Sequence, residues 1–259
     1  MNFLAIVGSV VLAFLGHLGR LIIFAGTALS HCVRPPFYPR LIGRQMIDIG
    51  YYSLPVVGLT AIFSGMVLAL QSFTGFARFS AGAENAVANV VIVSLTRELG
   101  PVLAGLMVAG RIGASMAAEI GTMRVTEQID ALTTLSTNPF KYLIAPRLIA
   151  GILMLPLLVA TADVIGVLGG YLVSVYKLGF NAGNYLQNTV DFVEFLDVFS
   201  GLVKAAVFGF IVALMGCYHG FHSRGGAQGV GKATTNAVVS ASILILISNY
   251  IVTELFFSR

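Results

Sequence analysis

The sequence predicts an all-α protein that crosses a membrane several times, and three observations lead to this prediction. Only 10% of the 259 residues are charged, whereas soluble domains average about 25%. Hydrophobic residues make up 57% of the chain, and the mean hydropathy is +0.91. The apolar residues form long blocks and lack the alternation of a membrane β-barrel. These features exclude an ordinary soluble enzyme, a collagen and a disordered chain.

Five apolar segments are long enough to cross a hydrocarbon layer about 30 Å thick, which requires about 20 helical residues. The second segment is longer than a span needs, so we expect it to tilt, protrude or break. Its weakest point is Gly100–Pro101, because proline lacks the backbone N–H donor and crowds the preceding turn. The five predicted spans are about residues 47–70, 86–123, 148–176, 198–218 and 237–257.

Residues 1–34 are predicted to form an N-terminal interfacial or elbow helix, ahead of a transmembrane domain at residues 40–259. The apolar run at its start is short for a span, and His17 and Arg20 interrupt it. No basic residue precedes this run and no cleavage site follows it, which disfavours a signal peptide. We prefer a helix that lies in the membrane interface, with a sixth span as the alternative.

Basic residues are unevenly distributed between the two sides of the predicted spans. Cytoplasmic loops of membrane proteins carry an excess of Lys and Arg, so the richer side is predicted to be cytoplasmic and to include the N-terminus. The net charge of +4 is small, and its meaning lies in where the basic residues are located. We do not interpret it as a sign of a nucleic-acid partner. The predicted cytoplasmic residues are Arg20, Arg34, Arg40, Arg44, Arg111, Arg124, Lys141, Arg147, Arg224 and Lys232, and those towards the other side are Arg78, Arg97, Lys177, Lys204 and Arg259.

Ionisable residues at membrane depth are costly, which makes them candidates for function. Arg97 and Glu98 precede Gly100–Pro101 and are expected to form either a substrate or gating site or a structural ion pair. Lys204 lies roughly 9 Å into the fourth span, where it could extend to the interface, attract an anionic headgroup or pair with Glu98. Asp163 is near the middle of the third span, with a proton relay as one interpretation.

The second span also carries two regular patterns. Arg111 and Glu119 lie about two turns apart with Ser115 between them, which predicts a structural polar network on one helix face. Small residues recur every fourth position, a spacing that lets helix backbones approach closely, either within the chain or at a dimer seam. These small residues are Gly105, Ala109, Gly113 and Ala117.

The connector between the second and third spans predicts a short amphipathic helix at about residues 125–138. Thr126 is a candidate N-cap, and acidic residues follow in the first turn, where the helix dipole favours them. Ile129 and Leu132 share a face. Such a helix is suited to docking in the groove of a cytoplasmic partner, or it rests on the protein's own surface. The candidate partner contacts are Glu127, Gln128, Ile129, Asp130 and Leu132.

Residues 226–232 (GAQGVGK) almost match a phosphate-binding loop. The following residue is Ala233, so the Mg²⁺-binding hydroxyl is absent, and a membrane helix precedes the segment instead of a strand. We expect a flexible cytoplasmic loop, with Gly229 and Gly231 among the glycines that supply unusual dihedral angles. No catalytic residue, metal site or bound cofactor is expected in this chain.

Several motifs in order resemble the MlaE (YrbE) family of ABC transporter permeases. They are residues 96–102 (TRELGPV), 109–114 (AGRIGA), 118–124 (AEIGTMR), 126–128 (TEQ), 138–139 (NP), 145–147 (APR) and 229–235 (GVGKATT). The resemblance covers roughly residues 40–257 and carries little weight in the first 30 residues.

The resemblance implies a permease domain at residues 40–259 that forms a homodimer in a bacterial inner membrane. A separate cytoplasmic ATPase would bind ATP and Mg²⁺, a STAS-domain regulator would assist it, and a ring of MCE-domain proteins would lie on the periplasmic side. The cargo would be phospholipid, moved between inner and outer membranes to maintain outer-membrane lipid asymmetry.

The resemblance also assigns roles to particular residues. The connector helix becomes the coupling helix, and Glu98 and Lys204, beside Arg97, correspond to charged positions near the family's lipid cavity. From position alone, we expect the acyl chains to contact Leu68, Leu70, Phe73 and Phe76.

Two other functions remain open from the residues alone. An ion-driven secondary transporter or proton channel would need paired acids at mid-membrane and usually an internal repeat, but Asp163 is the sole central acid and no repeat is evident. A scaffold that anchors partner proteins without transport is the other alternative.

Overall fold

The computed structural model describes residues 3–76 and 83–257, and every regular element in these ranges is helical. The all-α prediction is confirmed for this part of the chain, whereas Arg78 and Arg259 lie outside it. The α-helices are α1 (Phe3–Val33), α2 (Pro39–Ile49), α3 (Leu54–Phe76), α4 (Ala83–Ser94), α5 (Gly100–Val108), α6 (Ala114–Val125), α7 (Gln128–Thr134), α8 (Ala145–Leu172), α9 (Ala182–Phe192), α10 (Phe195–Phe221) and α11 (Gly226–Phe257).

Six helical segments of the described chain are long and apolar enough to cross a membrane. Five of them correspond to the predicted spans, with ends that extend further than the apolar runs alone indicated. The sixth lies in α1, so its placement in the interface stays a prediction beside the alternative of a further span. The segments are Val11–Val33, Pro39–Phe76, Ala86–Val125, Phe140–Lys177, Phe195–Phe221 and Gly226–Phe257.

Helix α1 packs on the bundle through its C-terminal half. Phe24 is buried, and its ring lies 5.2 Å from that of Phe140 and 5.3 Å from that of Tyr218, between ring centroids. Most other large side chains that the structure describes in this helix are exposed, with Leu12 and Ile23 each 71% exposed. One face of α1 is therefore fixed to the end of the bundle that carries α7, and the rest has no partner within the described chain.

Helices α4, α5 and α6 form one continuous helical rod, because π-helical turns at Leu95–Leu99 and Ala109–Gly113 join them. The expected break at Gly100–Pro101 does not occur, and Gly100 keeps right-handed helical dihedral angles. The first π-helical turn ends just before the proline, which sits in the first turn of α5. Inside a continuous rod, proline removes one backbone donor and crowds the carbonyl four residues earlier, and the adjacent π-helical turn is a local departure from the regular ladder at this point.

Glycines allow the long helices to touch through their backbones. A Cβ atom at Gly65 in α3 would collide with the carbonyl oxygen of Gly166 in α8. One at Gly151 would lie 2.7 Å from the carbonyl oxygen of Gly209 in α10. Close approach of this kind is how small residues drive helix association in membranes. Helix α8 is therefore held between α3 and α10.

The small-residue stripe of the rod packs inside the chain. The side chain of Phe208 lies 3.2 Å from a Cβ built at Gly105, and that of Val212 lies 3.5 Å from one built at Gly113. Ala109 and Ala117 are fully buried. The intrachain alternative is thus the one that the structure adopts for this stripe.

The glycine-rich segment 226–232 differs from its prediction as a flexible loop. Gly225 and Gly226 do have positive φ angles of 88° and 67°, but α11 begins at Gly226 and includes Gly229 and Gly231. Val230 packs against α6, where it lies 3.5 Å from a Cβ built at Gly121. This tertiary contact outweighs the low helix propensity of glycine.

Candidate functional site

A charged cluster surrounds the first π-helical turn, where the rod meets α10 and α11. The ammonium of Lys204 donates to a carboxylate oxygen of Glu98 at 2.6 Å and to the carbonyl oxygen of Arg97 at 2.7 Å. The Lys204 side chain is completely buried, whereas that of Glu98 is 38% exposed. Of the three interpretations of Lys204, the structure therefore adopts the pair with Glu98.

Pro101 explains why the lysine ammonium lies at the backbone. In an α-helix the carbonyl of Arg97 would accept from the N–H of residue 101, and proline has none. A carbonyl without a partner is costly in an apolar environment, and the Lys204 ammonium supplies the missing donor at 2.7 Å. The Gly100–Pro101 motif and Lys204 thus form one structural unit.

Helix α11 completes the coordination of the Glu98 carboxylate. The amide of Asn249 donates to one carboxylate oxygen at 2.8 Å, and the hydroxyl of Thr253 donates to the other at 2.9 Å. Sequence reasoning missed both residues. Their signal was available, because they are polar residues four positions apart in a mainly apolar span and therefore share a helix face.

Arg97 pairs with Asp197 rather than with its neighbour Glu98. Its Nε atom donates to the Asp197 carboxylate at 2.6 Å, and its guanidinium lies 4.4 Å above the ring centroid of Phe257. Asp197 is 1% exposed and also caps α10, because it accepts from the backbone N–H of Glu194. The two neighbouring charges of the rod are thus each satisfied by a partner on another helix.

An apolar groove of about 420 Å³ lies on the side of the rod that faces α3. Leu99, which follows Glu98 in sequence, forms part of its wall. Leu68 is the one residue of the four predicted acyl-chain contacts that lines it within the described chain. The lining consists of Phe63, Ser64, Val67, Leu68, Gln71, Leu99 and Leu103.

The other three predicted acyl-chain contacts lie elsewhere. Phe73 stacks edge-on against Phe180, with ring centroids 5.6 Å apart, and Phe76 packs against the same small hydrophobic cluster. Leu70 is half-buried and outside the lining of the groove. Phe73 and Phe76 fill the end of the bundle that carries α9, and the contact of all three residues with a lipid stays a prediction.

The connector forms the predicted short helix, α7, but with a different start. The hydroxyl of Thr126 bonds back to the carbonyl of Thr122 in α6, so it does not cap α7. Glu127 occupies the N-cap position with a left-handed φ of 61° and without a side-chain cap. The chain therefore reverses at Glu127, and the predicted cap at Thr126 is wrong.

The two faces of α7 have different surroundings. Ile129 is 1% exposed and packs in the core, so it anchors α7 to the transmembrane helices, and Leu132 is half-buried. Glu127, Gln128 and Asp130 are exposed, although Asp130 accepts from Arg124 at 2.6 Å. The outward surface of α7 is therefore acidic and polar, and its contact with a partner stays a prediction.

Asp163 lies against the end of the first π-helical turn. A Cβ atom at Gly100 would collide with one of its carboxyl oxygens, and that oxygen has no hydrogen-bond partner. The residue is 8% exposed. No second acid joins Asp163 in an ion pair or hydrogen bond within the described residues, so the structure supplies no relay of acids there.

The expected network of Arg111, Ser115 and Glu119 also differs from its prediction. Arg111 donates to the hydroxyl of Ser53 at 2.8 Å and to the carbonyl of Asp48 at 3.3 Å. Glu119 instead pairs with the buried Arg147 at 2.9 Å. The three residues do line one polar cavity together, but each charged group has its own partner.

Comparison with known proteins identifies the family of this fold. The model of the family described as "Permease MlaE" matches residues 42–255. A probable ABC transporter permease protein of Rickettsia typhi is 60% identical over 99% of this chain and 98% of its own length. Another, from Synechocystis, is 42% identical over 90% and 88% of the two chains.

A third relative carries a more specific name. The intermembrane phospholipid transport system permease protein MlaE of Haemophilus influenzae is 36% identical over 99% of this chain and 98% of its own length. The matched region contains the whole rod, the connector and the helices that hold the charged cluster. With six apolar helices long enough for a membrane, this multi-pass chain belongs to the MlaE family of ABC transporter permeases.

Proposed function

We propose that the chain is the permease subunit of an ATP-driven transporter that moves phospholipids between inner and outer bacterial membranes and so maintains outer-membrane lipid asymmetry. The named relative from Haemophilus influenzae supports the substrate class. In this proposal the permease performs no covalent chemistry. It changes how tightly, and towards which side, the lipid is held.

The observation that carries the proposal is the ion pair between the buried Lys204 of α10 and Glu98 of the rod, because the same rod also walls an apolar groove. A phospholipid requires apolar walls for its tails and a few polar groups for its phosphate. The carboxylate of Glu98 is partly exposed, so the cluster presents polar atoms at membrane depth. Charges at that depth are costly unless they serve a function or are paired.

The proposed assembly contains two copies of this chain, a cytoplasmic ATPase that binds ATP and Mg²⁺, a STAS-domain regulator and a periplasmic MCE-domain ring. Gly110 of the rod is exposed and supports close contact with another copy, because nothing lies within 4 Å of a Cβ built there. The acidic outward face of α7 is suited to a basic groove on the ATPase.

The rod gives a mechanical route from the ATPase to the lipid. We infer that ATP binding draws the two ATPase subunits together and moves α7. The Arg124–Asp130 ion pair connects α7 to the rod, and Ile129 belongs to the same core cluster as Ile120 of the rod. The rod continues without a break to the first π-helical turn. Movement of α7 would thereby narrow or widen the groove beside Leu99.

The substrate site is tested by Glu98→Gln in proteoliposomes that contain this chain and its ATPase. Loss of a charge-assisted hydrogen bond is worth about 1.5–3 kcal/mol, so we expect ATP-dependent phospholipid transfer to fall by about tenfold or more. Asp191→Asn, which changes an exposed acid in α9, is the matched control. Equal transfer by parent, variant and control would contradict the proposed site.

The coupling surface is tested by a Glu127→Lys and Asp130→Lys double variant. Reversal of two charges on the outward face of α7 should leave ATP hydrolysis without lipid transfer, or weaken co-purification of the ATPase. Asp191→Lys changes the charge at the opposite end of the bundle and should affect neither. Normal transfer together with normal ATPase co-purification in the double variant would contradict the proposed role of α7 as the contact with the ATPase.

A further inference from the structure

A second polar cavity, of about 290 Å³, lies between α2 and the rod at the end of the bundle that carries α7. Its size is at the lower limit for small-molecule sites, about 300–1,000 Å³. It therefore suits a headgroup rather than a whole lipid. The lining residues are Gln45, Asp48, Ile49, Arg111, Ile112, Ser115, Met116 and Glu119.

Arg111 supplies the cationic group of this cavity, and some of its N–H groups are available to bind a ligand. One terminal nitrogen, Nη1, donates to Ser53 and to the backbone of Asp48, which fixes the guanidinium. Within the described residues, its Nε and Nη2 atoms have no protein acceptor. An arginine with a fixed position and free donors is a strong binding group for a phosphate, because its fork matches phosphate oxygens.

Two carboxylates make the cavity unsuitable for a simple anion. The Asp48 side chain is half-buried, and in the described structure it has neither an ion pair nor a hydrogen bond. Glu119 is 57% exposed at the rim, where one of its oxygens forms an ion pair with the buried Arg147. Arg147 lies outside the lining and offsets the charge of Glu119 through their ion pair. Arg111 and Asp48 are then left as one cationic and one anionic group, which a ligand carrying both charges can pair with together.

We propose that this cavity binds a phosphate group that carries a primary ammonium group on a short linker, as in the headgroup of phosphatidylethanolamine. The phosphate would face Arg111 and Ser115, and the ammonium would face Asp48 and the free side of Glu119. The choice of a membrane lipid as the source rests on the proposed lipid function. The shared chemistry is an aminoalkyl phosphate, whether lipid-borne or free.

The lining also predicts selectivity between headgroups. A primary ammonium donates three hydrogen bonds, which the Asp48 and Glu119 carboxylates can accept. A quaternary ammonium donates none and is usually bound by aromatic rings, and no aromatic residue is part of the described lining. The cavity therefore favours the ethanolamine headgroup over the choline headgroup, and both over phosphoglycerol, which lacks a cation.

The test is native mass spectrometry of the delipidated full chain, titrated with dioleoyl phosphatidylethanolamine or dioleoyl phosphatidylcholine. A hydrogen bond to a charged group contributes about 1.5–3 kcal/mol, and about 1.4 kcal/mol changes the affinity tenfold. We therefore expect the parent chain to retain the ethanolamine lipid about tenfold more tightly at one site. Equal retention of the two lipids by the parent would overturn the proposal.

Two variants locate that preference. Asp48→Asn should abolish it while leaving the backbone carbonyl that holds Arg111, and Arg111→Gln should weaken both lipids. Asp191→Asn and Arg44→Gln change exposed residues outside the cavity and should keep the preference. A preference that survives Asp48→Asn would place the ammonium elsewhere and overturn the assignment.

A third variant guards against misfolding, and a soluble probe identifies the source. Ser115→Leu keeps all charges, fills the cavity and should also abolish the preference. Glycerophosphoethanolamine should compete with the ethanolamine lipid, whereas binding of this soluble compound without any lipid binding would reject a membrane source. Glu98→Gln should keep the preference, so failure of this inference and failure of the proposed transport site are distinguishable.

Discussion

The two π-helical turns of the rod each carry an arginine, and their surroundings differ. At the first turn, Arg97 pairs with Asp197, and Glu98 accepts from Lys204, Asn249 and Thr253. At the second turn, one nitrogen of Arg111 donates to two acceptors. Within the described chain, no group donates a hydrogen bond to the neighbouring Asp48 carboxylate. The first turn is thus a closed network, in which each charged group has a charged partner. The second turn is open, because its arginine pairs with no acid and has donors without an acceptor in the described chain.

The comparison shows that the side chains of the neighbouring segments determine whether the charged groups of a π-helical turn are satisfied. Such a turn leaves the regular hydrogen-bond ladder and often occurs at functional sites. Helix α10 meets the first turn with a lysine and an aspartate, which satisfy its charges. At the second turn, the acceptors that Arg111 finds among the described residues are a hydroxyl and a backbone carbonyl. We therefore expect stability to depend on the first turn and ligand binding on the second.

The largest effect on stability is expected from Lys204→Met. The substitution leaves the Arg97 carbonyl without its donor and Glu98 without its cation. Breaking a buried pair costs about 3–5 kcal/mol, but Glu98 is 38% exposed and keeps two hydrogen bonds. We expect a loss of about 2–3 kcal/mol in the free energy of unfolding, measured by SDS titration in mixed micelles.

A double-mutant cycle checks the cause. Lys204→Met together with Glu98→Gln should cost less than the sum of the single variants, because the two groups act as a unit. Additive losses would mean that the ammonium and the carboxylate stabilise the fold independently, and the first turn would then not be a closed network.

The helices were predictable from the sequence, whereas their ends and the π-helical turns were not. Long apolar runs require internally paired backbone groups in a membrane, and this constraint fixed the five predicted spans. Three of the seven residues at 226–232 are glycines, which have low helix propensity, so it is the packing of this segment on α6 that explains its helical conformation. A π-helical turn adds one residue to the ladder, which a search for helical periodicity does not detect.

The candidate site was predictable to the level of its charged residues. Lys204 and Glu98 were identifiable because charges at membrane depth are rare, and their pairing was one of several alternatives. The separate partner of Arg97 depends on how α10 is oriented relative to the rod, which one sequence does not specify. Three expected acyl-chain contacts lie away from the groove for the same reason.

Arg111→Gln should have a smaller effect on stability than Lys204→Met. It removes one hydrogen bond of good length, to Ser53, and a weaker one to the Asp48 carbonyl. A bond to a charged group is worth about 1.5–3 kcal/mol, but the glutamine amide can replace part of it, so we expect a loss of about 1 kcal/mol. The same SDS titration applies, and a loss equal to that of Lys204→Met would show that the second turn is not open.

The smallest effect is expected from Asp163→Asn. Its carboxyl oxygen without a partner lies against Gly100 in apolar surroundings, where an ionised carboxylate without a counter-ion would be very costly. We therefore predict that Asp163 carries its proton, and asparagine has nearly the same shape and charge as that form. ATP-dependent lipid transfer in proteoliposomes should stay near the parental rate, with or without a pH gradient. Abolished transfer with normal ATPase binding would instead favour an ion-driven transporter in which Asp163, beside the first turn, is a functional residue.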